Sequence, residues 1–283
     1  MSFWKDIQYK FKTSSIVEQL IYINVAVFII SMILGSFSGL YGNRTSFIME
    51  WFSLSSSLDI WLTRPWTIIT YGFLHGGFLH ILFNCLWLFF IGRLFLDYFT
   101  PKQLLNFYLL GTLVGGIFYL AAYNYFPIFR GQVVPLVGAS AGISAIIIGL
   151  ATYAPNYQLN FRFIGYVKVW HLAAFFIVID LIGLAGSNGG GHFSHLGGAL
   201  LGYLYVSQAS NKKINLFEGF FNFFKTKKKP LKTVYKSPKR NAKKTVSKDD
   251  NQKKVDYILD KISKSGYDTL TKEEKEFLFK QGK

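Results

Sequence analysis

The sequence predicts an all-α fold, a polytopic membrane bundle of six transmembrane helices, with a basic cytoplasmic tail that ends in a small helical hairpin. Three observations predict it. The 283-residue chain is 51% hydrophobic and 18% aromatic, with a mean hydropathy of +0.28. Only 16% of its residues are charged, against about a quarter in ordinary soluble domains. The charge is also unevenly placed, since 21 of the 31 Lys and Arg follow residue 211. An apolar membrane body followed by a soluble basic tail accounts for that split.

Residues 1–15 read as a basic amphipathic segment, and the membrane body as residues 16–210. A spanning helix needs about 20 mostly apolar residues. Six stretches qualify, at about 17–37, 68–91, 103–124, 138–154, 168–186 and 193–209. The first lacks a small-residue cleavage site, so it is expected to be a retained helix and not a removed signal peptide. The fourth and sixth are short and rich in small residues, which suits helices packed against protein. Between the first two, residues 38–65 mix Trp51, Phe52, Leu58, Ile60 and Trp61 with polar residues, as expected of a loop lying partly in the interface.

Orientation follows from the basic residues near the helix ends. Lys5, Lys10, Lys12, Arg93, Lys102, Arg162, Lys168 and the tail fall on one side, and Arg44, Arg64 and Arg130 on the other. The bias puts both termini in the cytoplasm, which requires an even number of spans. A bacterial plasma membrane is the expected location.

Residues 211–252 read as an interfacial basic helix and linker. Ile214 to Phe224 is Phe-rich and leads into Lys225 and Lys227–Lys229, an interfacial pattern, and residues 230–252 have the composition of a disordered linker. In residues 253–283, Val255, Ile258, Leu259 and Ile262 recur at helical spacing. Gly266 interrupts them, and Thr271 with Glu274 forms a capping box that opens a second short helix. The net charge of +16 is expected to meet anionic lipid headgroups, at about 1 kcal/mol per basic residue near the surface, and not nucleic acid. Cys85 is the one cysteine, which precludes an intrachain disulfide.

Polar residues inside a membrane body are costly and usually functional, and three clusters stand out. Gly138-Ala139-Ser140-Ala141-Gly142 opens the fourth span. A serine there has free backbone N–H groups and the positive end of the helix dipole beside it. Both favour an oxyanion forming on a carbonyl that the serine attacks; an ordinary N-cap would read the same. His192-Phe-Ser-His195 opens the sixth span, and His195, Gly198 and Gly202 share one face. That small-residue face lets another backbone approach closely, although a lone histidine at a helix end is often only interfacial. His75-Gly-Gly-Phe-Leu-His80 leads to Asn84 in the second span. His80 and Asn84, four residues apart, project from one face and carry donors of the kind an oxyanion site needs; a polar pair holding helices together is the alternative. Jointly the three clusters supply the parts for acyl transfer. Asp180 is the only carboxylate candidate within the body, and its depth in the fifth span argues against a role in orienting His195. A Ser–His dyad is therefore expected.

The run Arg64-Pro-Trp-Thr-Ile-Ile-Thr-Tyr-Gly-Phe-Leu-His75, then His80-x-x-x-Asn84, Gly138-x-Ser140 and His195-x-Gly-Gly198-x-x-x-Gly202, resembles the rhomboid family of intramembrane proteases over residues 15–210, with every motif in family order. The resemblance implies Ser140 as nucleophile and His195 as general base. It implies His80 and Asn84 as oxyanion donors beside the Ser140 backbone N–H, with Gly138, Gly198 and Gly202 packing at the site. It also implies a water-accessible site below the outer face, and substrates that are single transmembrane helices with small or helix-breaking residues. No cofactor and no metal is expected. The terminal segment from Val255 resembles a small helical tail of some bacterial members. Ala141 stands where the family usually has glycine, and Ser144 where members often have an aromatic that stacks on the base. The Trp-Arg pair found in the first outer loop of some members is not evident. Two rivals remain at this point: a metal site on His75, His80, His192 and His195, and a silent rhomboid-like binder of membrane helices.

Overall fold

The computed structural model describes residues 3–42, 46–162, 165–210 and 248–281, and the chain divides into two units, Met1–Phe224 and Lys225–Lys283. The expected interfacial helix at 214–224 and the linker up to residue 247 lie outside the described residues.

In the first unit, α1 (Phe3–Thr13) is exposed from Trp4 onward. A capping box of Ser15 and Glu18 opens α2 (Ile16–Leu40), of which only Val17, Leu20, Asn24 and Ser31 are buried. Ile29, Ile30, Met32 and Ile33 stay exposed, and a helix whose outer surface is this apolar suits contact with lipid. Helices α3 (Phe47–Phe52) and α4 (Leu58–Thr63) fold the loop that follows. After α5 (Thr67–Thr70) come the long helices α6 (Phe78–Leu96) and α7 (Pro101–Tyr125), then α8 (Ser140–Tyr153), α9 (Val169–Gly183) and α10 (Gly189–Ser210). Among the described residues, three helices, α2, α6 and α7, are long and apolar enough to cross a membrane by length and composition; α8 and α9 are shorter and apolar. The first unit is thus the apolar helical body of a membrane protein.

Three expectations are corrected. The second span is not one helix over 68–91. A 3-10 turn at Tyr71–Phe73 ends the first piece, and α6 starts only at Phe78. Gly76 and Gly77 explain the break, since each glycine costs a helix about 1 kcal/mol. The carbonyls released there find partners: Tyr108 donates to Gly72 O at 2.8 Å, and Gly138 N–H donates to Tyr71 O at 3.0 Å. Next, the fold is not wholly α. Leu54–Ser55 pairs antiparallel with Pro135–Leu136 (β1 and β2), and Gln158–Phe161 with Gly165–Lys168 (β3 and β4). Gly165, at φ +86°, makes the tight return of the second pair possible. Finally, a Trp–Arg contact does exist in the first loop. The Arg64 guanidinium lies 4.3 Å from the Trp51 ring centre, and Trp51 stacks on Trp66 at 6.3 Å. The residues are distant in sequence, which hid the contact.

The centre of the unit is α8, clasped between α7 and α10, and the approach is as close as backbones allow. A Cβ on Gly198 or Gly202 would overlap the carbonyl of Ala141 or Ala145 in α8, and one on Gly111 would come within 2.6 Å of the Ala145 Cβ. At the other end, Arg93 of α6 pairs with Glu18 of α2 at 2.8 Å. Asn24 of α2 donates to the Tyr108 hydroxyl of α7 at 3.1 Å.

The second unit contains α11 (Lys248–Ser265), a 3-10 turn at Tyr267–Thr269 and α12 (Lys272–Gln281). Helix α11 begins five residues before the expected start at 253. Among the described residues of this unit, Ile258 and Leu270 are the buried apolar ones, and Lys261 bridges to Glu274 at 2.9 Å. Thr271 accepts from the Glu274 N–H while Glu274 accepts from the Thr271 N–H, a reciprocal cap.

Candidate active site

Ser140 is the first residue of α8, and the chain reaches it through Gly138 at φ +133°. Glycine is required there twice over. That backbone angle is one L-residues rarely adopt, and a Cβ would come within 2.8 Å of His80 Nε2. The loop therefore presses the His80 ring beside the serine. On the facing helix α10, His195 lies near the start and is brought to Ser140 by the Gly198–Ala141 approach. Its Nε2 is 2.7 Å from Ser140 Oγ, a distance at which the hydroxyl donates to the ring. Ser194, next in the chain, is buried and lies 3.2 Å from the Tyr71 hydroxyl, which itself donates to Thr112 O at 2.7 Å. These bonds hold that turn of α10 against α7.

Ser140, His195, His80 and Asn84 border one cavity of about 490 Å³. Asn84 is buried at 7% exposure, and its Nδ2 has no partner among the described residues. A buried amide without a partner costs about 1–3 kcal/mol, so a donor kept free at the cavity is placed to receive a negative oxygen. All four predicted functional side chains, delivered by α6, α8 and α10, are thus brought together. Of the three glycines, Gly198 and Gly202 lie against α8 and Gly138 against His80. His75 does not share the cavity. It is buried in the break before α6, its ring 5.1 Å from that of His80.

The expectation for Asp180 is overturned. Its Oδ1 is 2.8 Å from His195 Nδ1 and 2.8 Å from His192 Nδ1, and its side chain is 7% exposed. Helix α9 ends at Gly183, which puts Asp180 in its last turn, and α10 starts at Gly189, four residues earlier than expected, so that its first two turns carry His192 and His195 back beside that end. Gly183 allows the approach, because a Cβ there would overlap the His192 ring. Asp180 with Gly183 on one helix, and His192 with His195 on the other, each at i, i+3, is the sequence signal that points to this contact. Among the described residues, the compact group of metal-capable ligands is Asp180, His192 and His195, with ligand atoms within 4.8 Å of one another. The four-histidine set suggested by the sequence is split between this group and the α6 side.

Comparison with known proteins gives a consistent result. The Rhomboid domain family matches residues 62–211, and a family of unknown function (DUF6576) matches residues 241–280. A stretch of 147 residues is 33% identical to RHOMBOID-like protein 12, mitochondrial, of Arabidopsis thaliana, covering 48% of this chain and 44% of that protein. The chain therefore spans less than half the length of this relative. The domain match covers more than half of the chain, including Ser140, His195, His80 and Asn84, and on that ground the chain belongs to the rhomboid family.

Proposed function

We propose that this chain is an intramembrane serine endopeptidase that hydrolyses a peptide bond in or near the transmembrane helices of other membrane proteins. The observation that carries the reading is the 2.7 Å separation of Ser140 Oγ and His195 Nε2 at the mouth of a cavity that also holds His80 and Asn84.

A substrate helix enters between α6 and α9 and unwinds into the cavity. His195 takes the Ser140 proton as Oγ attacks the scissile carbonyl. The tetrahedral oxyanion accepts hydrogen bonds from His80, Asn84 and the Ser140 backbone N–H, donors that are in place before the reaction. His195 then gives its proton to the leaving amine. Water repeats the sequence on the acyl-enzyme and restores Ser140. No step calls for a cofactor. Small or helix-breaking residues near the cleaved bond are favoured, because the scissile segment must leave its helix.

The length of α8 supports a wet site inside the membrane. Its 14 residues rise about 21 Å, short of the ~30 Å hydrocarbon core, so the Ser140 end stands below the membrane surface. Six spans, formed by α2, the α5–α6 segment and α7 to α10, put both termini in the cytoplasm of a bacterial cell. The tail lysines then face anionic headgroups of the same leaflet.

A panel of single-span fusion proteins, incubated with purified wild type and S140A, tests the proposal. Cleavage by wild type and none by S140A is expected. Cleavage that persists in S140A, or a wild type that binds the fusions and cuts none of them, overturns it; the second result would leave a binder of membrane helices.

A further inference from the structure

Resting on the protease reading above, we infer that Asp180 is the positioning residue of the base and that His192 in turn positions Asp180, so that the Ser140–His195 pair is the reacting end of a four-member chain. The chain runs from His192 on α10 to Asp180 on α9, back to His195 on α10 and on to Ser140 on α8.

The argument is one of proton placement. A buried carboxylate is an acceptor only, so both imidazoles meeting Oδ1 at 2.8 Å present an N–H from Nδ1. For His195 this fixes the tautomer with Nε2 unprotonated, and Nε2 is the atom 2.7 Å from Ser140 Oγ. Without the carboxylate, a neutral imidazole is free to carry its proton on Nε2, where it accepts nothing from serine. When His195 takes the serine proton, the imidazolium lies against a carboxylate already in contact, with no rearrangement needed. The second bond, from His192, occupies a further lone pair of the same oxygen and fixes Asp180 relative to α10.

Local packing is arranged around this bond. Gly183 lets the His192 ring lie flat on α9. Ser144, one turn into α8 from Ser140, borders a small void with Asp180, Ala199 and the apolar Phe176 and Ile147, and the carboxylate meets the base directly. The titratable groups facing His195 are Asp180 from α9, His192 from its own helix and His80 across the cavity from α6. Asp180 is the only anion among them.

The test uses the full chain in detergent or bilayer, with S140A, D180N, D180A and H192A beside wild type. Asn at 180 keeps the shape but offers Nδ1 an amide donor, which favours the wrong tautomer; an analogous exchange in a serine protease triad costs about 10⁴-fold. D180N is expected to lose at least about 10²-fold in kcat with KM nearly unchanged, D180A less than D180N, and H192A roughly tenfold. In protein labelled with ¹⁵N-histidine, His195 is expected to carry its proton on Nδ1 in wild type and S140A, and on Nε2 in D180N. The wild-type and S140A spectra decide the matter even if the Asp180 variants do not fold. Cleavage persisting in S140A defeats the protease reading, whereas an active wild type with an equally active D180N defeats the role of Asp180 alone. A His195 proton on Nε2 in wild type overturns the inference. So does stoichiometric zinc in purified protein whose removal by chelator raises activity, which would make the three residues a metal site.

Discussion

Around Ser140, each neighbouring side chain contributes a different physical property. His195 contributes a free ring nitrogen, His80 and Asn84 contribute donors, and Gly138 contributes the absence of a Cβ at φ +133°. The donors are worth most where water has been displaced, because an uncompensated oxyanion in a low-dielectric cavity is expensive. N84A is expected to lower kcat by about 10²–10³-fold, near 3–4 kcal/mol, while leaving reaction of Ser140 with a small electrophile largely intact. Cleavage kinetics set beside labelling rates check this, and an equal loss in both would show that Asn84 supports the fold and not the oxyanion. At this scale the sequence was informative for the residues that react. Ser140, His195, His80 and Asn84 each sit in a short motif whose spacing fixes its own helix face. Asp180 was legible as a costly buried charge but not as a partner of His195. Its bond depends on where α9 ends and α10 begins, so that the last turn of one meets the first turns of the other, which no single-helix periodicity records.

Beside the site, the elements are brought together by small residues, while large apolar side chains such as Phe107 and Ile146 fill the core around them. Gly198 and Gly202 bring α10 onto the α8 backbone, and Gly111 and Gly142 do the same between α7 and α8. G198A places a Cβ against the Ala141 carbonyl one residue from Ser140. It is expected to cost about 1–3 kcal/mol and to open the Ser140–His195 bond. G39A, in α2, meets nothing within 4 Å and is expected to leave activity unchanged and stability unchanged or raised by up to about 1 kcal/mol. Thermal unfolding in detergent together with the cleavage assay separates the two. Hydropathy marked the long helices correctly, because an apolar run of 19 to 25 residues is long enough to span a bilayer and too apolar to face water. It failed at residues 74–77, a short Leu-His-Gly-Gly break that a long window averages into the apolar runs on either side. It also missed the β3–β4 hairpin, whose four-residue strands are too short to impose an alternation.

On the scale of the whole molecule, an apolar helical body is followed by a basic terminal unit whose described residues form a helical hairpin. The terminal unit is expected to be sensitive to acid. The Lys261 ammonium, and then the Thr271 backbone N–H, hold the Glu274 carboxyl below the usual carboxylate range. A depressed carboxyl contributes stability that is present above its unfolded value, near 4.5, and is lost as pH falls through the folded value. Hydrogen exchange across residues 248–281 of the intact chain is therefore expected to accelerate as pH is lowered below about 4.5, after correction for intrinsic rates, and to be flat between pH 6 and 8. K261A is expected to reduce the protection at neutral pH. The body rests on a different claim, that three helices bring a hydroxyl, an imidazole and a pair of donors to one hydrated pocket. Mass-spectrometric mapping of a fluorophosphonate adduct on the purified protein tests that claim most directly. A single adduct on Ser140 in wild type, lost in H195A, is the predicted result; no adduct at Ser140, or equal labelling in H195A, would contradict it.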